Sequence, residues 1–336
     1  MALIRGEDLN VGVGVENPST RGINVVAQKW VPGRAPAGVN VEVVKTLIKE
    51  TKASGIMSQG SEVVQRKAIG GLEFNVKSES IGYFLKSLLG KCTTSVVAGS
   101  VNSHLFEILL NSPQFPTLTM LLSQPDHQDY EYPGALIKSL EIRTPVDDLA
   151  NGTLEMVAWD EEESGETQTP TFASTDYIFR NYDVEIKIAA NLAGLAAAEA
   201  LATKEFSLNI ANNGKENQPI GSITPTDTLA GLLEIGGNIV LDYEDDTYHD
   251  LYMAGTYRAM QITLTRSDID IGGGSNPTIT IQLARVSFET SNPDRPIDDI
   301  VKDGFTILAH YSDTDSEAIN ITVVNTVEDY DYDVQS

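Results

Sequence analysis

Four histidines, one cysteine and 48 acidic residues are the groups in this 336-residue chain that could carry chemistry. Two histidines at i and i+4 on a helix would offer a zinc site. His104, His127, His249 and His310 instead fall on separate stretches, and no two have that spacing. Cys92 is the sole cysteine, which excludes an intrachain disulfide and a cysteine-based zinc site, and it carries no local signature of an activated thiol. Asp313-Thr-Asp315-Ser-Glu317 resembles part of a calcium loop but lacks the central glycine and the distant bidentate glutamate, so a turn between strands accounts for it. Gly12-Val13-Gly14 lacks the third glycine, the following helix and the Lys-Ser/Thr of a phosphate loop. No Gly-x-Ser-x-Gly elbow occurs. A glycosidase needs only two well-placed carboxylates, yet two tryptophans give few aromatic platforms for a sugar. The expectation is no enzyme: no catalytic, cofactor-binding or metal-ligating residues, and no cofactor.

The elements that would have to position any site repeat along the chain. Residues 68–90, AIGGLEFNVKSESIGYFLKSLLG, and 231–266, GLLEIGGNIVLDYEDDTYHDLYMAGTYRAMQITLTR, share one plan. In the first, Leu72, Phe74 and Val76 alternate with Glu73, Asn75 and Lys77; in the second, Ile239, Leu241 and Tyr243 alternate with Val240, Asp242 and Glu244. A period of two predicts a half-buried strand. Each strand is followed by an acidic or serine turn and an apolar stripe at spacings of three and four. The stripes are Ile81, Phe84, Leu85 and Leu88 before Gly90, and Tyr248, Leu251 and Tyr252 before Gly255. One short helix per copy is predicted. Further on, Phe106, Ile108 and Leu110 align with Met260, Ile262 and Leu264, residues 117–120 with 278–281, and the strand, acidic turn and strand of 136–157 with those of 305–323. The offset is 166 residues at Gly71 and Gly237 and 161 at Thr117 and Thr278, close to half the chain. A mainly β chain with a few helices, built by duplication, follows.

The length suits two domains, each able to bury a core. Net charge is −25, of which the first 170 residues carry −7 and the remainder −18. Such a surface repels nucleic acid and anionic lipid within a Debye length of about 8 Å, which argues against a DNA-binding protein. MALIRGEDLN has neither a long apolar run nor a cleavage motif, so neither secretion nor membrane insertion is expected. Residues 1–39 read as an N-terminal arm, in which Trp30 is either a staple onto its own subunit or an anchor on a neighbour. Residues 40–170 read as a first domain. Within it, 40–67 read as a strand and a long mobile loop, and 160–170, DEEESGETQTP, as an acidic linker loop. Residues 171–325 read as a second domain, with a short exposed helix or contact loop at 191–203 and a strand through Phe206, Leu208 and Ile210 ended by Asn-Asn-Gly. Residues 326–336 read as an acidic C-terminal tail, flexible unless a partner orders it.

With these elements placed, the chain resembles the tail tube proteins of long-tailed bacteriophages. The resemblance rests on the run KEFSLNIANN at 204–213, Ile220-Gly221-Ser222 with Pro225, residues 231–237 and 257–281, and Ala318-Ile319-Asn320-Ile321-Thr322. In the first half it rests on Gly70-Gly71-Leu72, residues 83–90, His104-Leu105-Phe106 and Thr117-Leu118-Thr119. It implies a duplicated tail tube β-sandwich, each copy flanked by an α-helix, that completes an inner β-barrel on oligomerisation. Most such subunits carry one tube domain and six form a ring. Two fused domains therefore imply a homotrimeric, pseudo-hexameric ring, stacked into the tail tube of a non-contractile, siphovirus-type virion as the conduit for DNA ejection. The implied partners are further copies of itself, the tape measure protein and double-stranded DNA in the lumen without tight binding, and tail terminator and tail tip proteins, with no membrane. The implied location is the virion tail, after synthesis in the host cytoplasm. Carboxylates lining the lumen would repel phosphate, with Glu73, Asp242 and Glu244 as candidates. The arm at 1–39 and the loops at 45–66 and 160–170 are candidate ring-to-ring joints. The alternatives are a tail terminator, adaptor or baseplate hub ring protein of the same fold, which forms a single ring, and a soluble β-sandwich carbohydrate-active or binding protein, which stays monomeric.

Overall fold

Apolar residues at period two become strands along the whole chain, described by a computed structural model for residues 9–34, 38–48, 60–124, 126–165, 167–298 and 300–332. The first half holds β1 (Asn10–Val15), β2 (Lys29–Val31), β3 (Gly38–Leu47), β4 (Ser61–Asn75), helix α1 (Ser80–Leu89), β5 (Gly90–Ala98), β6 (Val101–Ile108), β7 (Leu118–Ser123), β8 (Tyr130–Thr144), β9 (Asn151–Ala158) and β10 (Glu162–Glu163). The second holds β11 (Val184–Ala189), β12 (Thr203–Ala211), β13 (Lys215–Asn217), β14 (Asp227–Leu229), β15 (Glu234–Asp242), helix α2 (Thr247–Ala254), β16 (Arg258–Thr265), β17 (Thr278–Asp294), β18 (Lys302–His310) and β19 (Ile319–Asn325).

Two long strands turn these elements into layers. β8 pairs with β7 as far as Ala135 and with β9 from Leu136 onward. β17 pairs with β16 and β19 over its first half and with β18 over its second. A strand that changes partners in this way makes the corner between two packed sheets. The inner sheet runs β3-β4-β9-β8-β12-β15-β18-β17, antiparallel throughout. Four strands come from each half, and they join where Leu208 and Ile210 of β12 face Ile142 and Leu140 of β8. The outer layer is β2-β1-β7-β8 in one half and β11-β16-β17-β19 in the other, the latter extended by β6-β5 of the first half. Leu72, Ile142, Leu208 and Phe305 of the inner sheet share one buried core with Val13, Met120, Ile262 and Ile321 of the outer layer.

The two halves pair their strands in the same order. β1·β7, β7·β8, β8·β9, β9·β4 and β4·β3 correspond to β11·β16, β16·β17, β17·β18, β18·β15 and β15·β12. Past the helix this differs from the alignments of 106–110 with 260–264, of 117–120 with 278–281 and of 136–157 with 305–323, because β7, β8 and β9 correspond to β16, β17 and β18. β7, not β6, occupies the position of β16, and the hairpin β5–β6 is an addition whose second strand crosses to pair with β19. Alternation marks a strand but carries no label for its partner.

Several segments gain a place that local patterning does not give. Residues 10–15, inside the stretch read as an arm, form β1 and pair with β7 along its length. Within the short exposed helix or contact loop read at 191–203, residues 192–197 form a 3-10 helix of which Leu195 alone is buried. Of the loop expected at 45–66, residues 45–47 and 61–66 are strand, in β3 and β4, and positions 49–59 lie outside the described residues. The acidic tail docks through Tyr330. Tyr330 is fully buried against Tyr83, His104 and Phe106, at ring-centroid distances of 4.9, 4.7 and 5.6 Å. Its hydroxyl donates to the Glu79 carbonyl at 2.8 Å and accepts from Asn325 Nδ2 at 2.6 Å. Gly82 makes room, since a Cβ there would collide with the Tyr330 ring. Tyr330→Ala should therefore lower unfolding free energy by about 3–5 kcal/mol, the usual cost of emptying a large aromatic site. A urea titration showing less than about 0.5 kcal/mol, the usual limit for a surface site, would mean that the tail is not docked in solution.

One buried acid ties the N-terminal segment to the body. The Glu16 carboxylate, 1% exposed, accepts hydrogen bonds from the Thr117 and Thr119 hydroxyls at 2.6 and 3.0 Å and from the Gly22 and Gly134 N–H groups, both at 2.7 Å. Burial raises its pKa against the opposing pull of those donors. A carboxyl whose folded pKa is raised contributes stability that is full below its unfolded value, about 4.3, and lost as pH rises through the folded value. Glu16→Gln cannot ionise. Its stability relative to the parent should therefore climb as pH rises from about 4 through that window, read by denaturant titrations at a series of pH values.

Candidate assembly face and its edges

The chemistry-bearing residues do not converge. His104 is buried, with Nδ1 2.9 Å from the Thr94 hydroxyl and Nε2 3.0 Å from Asn325 Oδ1, and burial lowers its pKa. His310 lies beside Ser287 and Tyr257, His249 is on α2, and His127 is in the turn before β8. The Cys92 thiol is pushed up to about 11 by burial, the opposite of activation. Asp315 accepts from the Ser312 hydroxyl at 2.6 Å in the turn between β18 and β19. Gly12 and Gly14 lie within β1, and the Trp30 ring, 5% exposed, sits beside Gly12 of its own chain. Of the two readings of Trp30, the staple onto its own subunit is the one observed.

What the inner sheet does bring together is a polar face. Its core side is lined by Leu72, Leu140, Ile142, Leu154, Phe206, Ile239 and Phe305, so the residues between them point the other way. The registers set these in rows across the sheet. Glu73, Thr153, Glu141 and Asn209 form one row over β4, β9, β8 and β12. Asn75, Asn151, Arg143, Ser207, Asn238, Thr306 and Thr290 form the next, continued through β15, β18 and β17. Glu73, Glu141, Glu155, Glu205 and Glu234 stand on this face with Arg143 and Lys138, as does Glu42, which is 3.5 Å from Lys67 across β3 and β4, and Arg143 is itself 3.7 Å from Glu141. Of the three acids picked from sequence, Glu73 is in this face. Asp242 is at the end of β15, 3.0 Å from Lys204, and Glu244 lies beyond the strand. Asp242 and Glu244 line a cleft of about 490 Å³ with Asp303. Glu141 and Glu155 were legible by the same rule as Glu73, since each sits between core-facing residues of a strand, whereas Glu205 and Glu234 have such a neighbour in their strand on one side alone, Phe206 and Ile235.

The sheet has two open edges. Among the described residues β3 is paired only on its β4 side, and β17 over 287–294 only on its β18 side. Every strand between them is flanked on both sides. The hairpin β3–β4 also outruns its neighbour. β9 ends opposite Ala68, so 43–47 and 61–66 project beyond it, with Val43, Leu47, Val63 and Val64 exposed.

No match to the chain is found among curated proteins. A family model described as phage tail tube protein matches residues 20–299, a span that runs from before β2 through the whole of β17 and so takes in most of the inner sheet. That coverage, on a mainly β fold built around one broad open-edged sheet, places the chain in the phage tail tube protein family, and it is a structural component of the virion tail.

Proposed function

We propose that three copies of this chain close into a pseudo-hexameric ring, that the rings stack into the tube of a non-contractile tail, and that the genome leaves through the lumen. The observation that supports this most directly is the junction of β8 with β12, which merges four strands from each half into one sheet. The chain thus contains one example of the contact that a ring needs repeated. Two fused tube domains, 40–170 and 171–325, reduce six domains to three subunits. Closing the sheets edge to edge removes both open edges, and heterologous contact between identical rings gives an open-ended polymer. The acidic face turns inward, where Glu73, Glu141, Glu155, Glu205 and Glu234 repel phosphate and let DNA slide. The projecting apolar end of β3–β4 and the 160–170 loop join one ring to the next. The tape measure protein fills the lumen during assembly in the host cytoplasm, and terminator and tip proteins close the two ends.

Electron microscopy of the purified protein at rising concentration, together with its mass in solution, tests this. Three-fold rings or tubes with a central channel are expected. Rings that never lengthen would favour an adaptor or hub. A monomer at every concentration and salt, unable to extend tubes seeded by tail tips, would overturn the proposal.

A further inference from the structure

We infer that the seam between copies is β3 of one chain against the second half of β17 of the next, in a register that the internal junction dictates, and that this seam is the weaker of the two junctions in the ring. The inference rests on the ring reading above. Each step follows from matching the pairings of the two halves. The bulges of β8 and β17 equate Leu154 with Phe305; Leu72 faces the first and Ile239 the second, which equates Leu72 with Ile239 and Gly70, not the Gly71 of the sequence alignment, with Gly237. Val39 faces Gly70, and Leu208 faces Gly237, which equates Val39 with Leu208 and Asn40 with Asn209. β8 has its bulge at Lys138 and β17 at Glu289, which equates Glu141 with Asn292. Within the chain Glu141 faces Asn209. Between chains, Asn292 therefore faces Asn40, Ser291 faces Val41, and Pro293 faces Val39. The side-chain directions agree: Asn40 and Asn292 are exposed, as residues of the open face must be, while Val41 and Ser291 are half-buried on the core side.

Three differences make this seam the weaker one. Pro293 has no N–H to give, which is tolerable on an edge strand but leaves the strand one donor short. Ser291 stands where the internal junction has Leu140, so less apolar surface is covered. The internal junction is also braced in the outer layer, where β6 pairs with β19 over residues 102–107 and 320–325. The second half has no counterpart of the hairpin β5–β6, since α2 leads to β16 through 255–257 alone, and β10, which stands where β19 stands in the other half, is two residues long.

Cysteine pairs test the register in a Cys92→Ser background. Directly opposed residues of an antiparallel pair bring Cβ atoms to about 4.5–5.5 Å, closest at sites without mutual hydrogen bonds, and adjacent pairs alternate between the two kinds of site. One of Asn40→Cys/Asn292→Cys and Val41→Cys/Ser291→Cys should thus oxidise in assembled tubes to a closed covalent trimer on a non-reducing gel. The displaced pair Val44→Cys/Asn292→Cys should give at least tenfold less. In the unmodified protein, hydrogen exchange at 39–42 and 290–294 should slow on assembly, and tubes in denaturant should release folded monomers before any chain unfolds. Tubes that form without cross-links in either designed pair, or without slowed exchange at these strands, would overturn the seam and leave the tube reading intact. Absence of rings and tubes from the Cys92→Ser parent and the unmodified protein alike would overturn the tube reading itself.

Discussion

Lys29→Met should lower the unfolding free energy by about 3–5 kcal/mol, more than any single surface charge could. Lys29 Nζ lies 2.5 Å from Glu79 Oε2 and 3.8 Å from Asp176 Oδ2, and all three side chains are nearly inaccessible. Asp176 is the cap of α1, accepting from the N–H groups of Glu79 and Ser80 and from the Ser80 hydroxyl. Glu79 Oε1 in turn accepts from the Thr326 hydroxyl at 3.0 Å. The cluster therefore fastens β2, the start of α1, the segment before β11 and the segment after β19 at one point. Methionine fills much of the volume of lysine but leaves two carboxylates buried without a cation. Glu79→Gln is the control. It leaves the Lys29–Asp176 pair in place and should cost only about 1–3 kcal/mol, the range for disturbing buried hydrogen bonds. Urea titrations of the two variants decide the matter, and equal losses would show that the cation is not what holds the cluster.

The same cluster shows why part of the fold is legible and part is not. The stripe Ile81, Phe84, Leu85 and Leu88 predicts α1 because a helix face is a local property. That Ser80, Tyr83 and Ser87 on its other side are also buried is not a local property. Their cover comes from afar: Asp176 bonds Ser80, Tyr330 packs on Tyr83 and the Ile137 N–H donates to Ser87, from 96, 247 and 50 residues away along the chain. Tyr330 among acids has no period to announce it. Strand edges fail for a related reason. β9, β15 and the part of β4 from Ala68 onward alternate because both neighbours and the core are present in the same chain. Residues 289–294, Glu-Thr-Ser-Asn-Pro-Asp, hold a strand against β18 without alternating apolar residues, and among the described residues they have no second neighbour in the sheet. The hairpin β5–β6 misleads in the opposite direction. Phe106 and Ile108 alternate as Met260 and Ile262 do, and only the pairing of β6 with β19 reveals that it belongs to no repeated position. Polar alternation likewise predicts that Glu73 leaves the core, but whether it meets bulk solvent or a channel is decided by how copies assemble.

Reversing the open face tests that last point with a large expected effect. Replacement of Glu73, Glu141, Glu155, Glu205 and Glu234 by lysine should turn a channel that DNA slides through into one that holds it. Each phosphate neutralised contributes about −0.9 to the slope of log affinity against log salt, so six to ten contacts give a loss of about 10³–10⁵ between 50 and 200 mM salt. Tubes of the parent protein should retain no duplex, whereas the lysine tubes should retain it at low salt, protect it from nuclease and release it steeply as salt rises. The matching glutamine variant removes repulsion without adding attraction and should fall between them. Lysine at Glu185, Glu199 and Asp270, which lie off the inner sheet, separates position from net charge. Those tubes should bind DNA on the outside, where nuclease reaches it. Protection by the outer variant, or none by the inner one, would mean that the acidic face does not line the channel. The inner sheet would then have to close the other way round, with these carboxylates outward. That arrangement is hard to build, because the opposite face of the same strands is packed against the core through Ile142, Leu208 and Phe305.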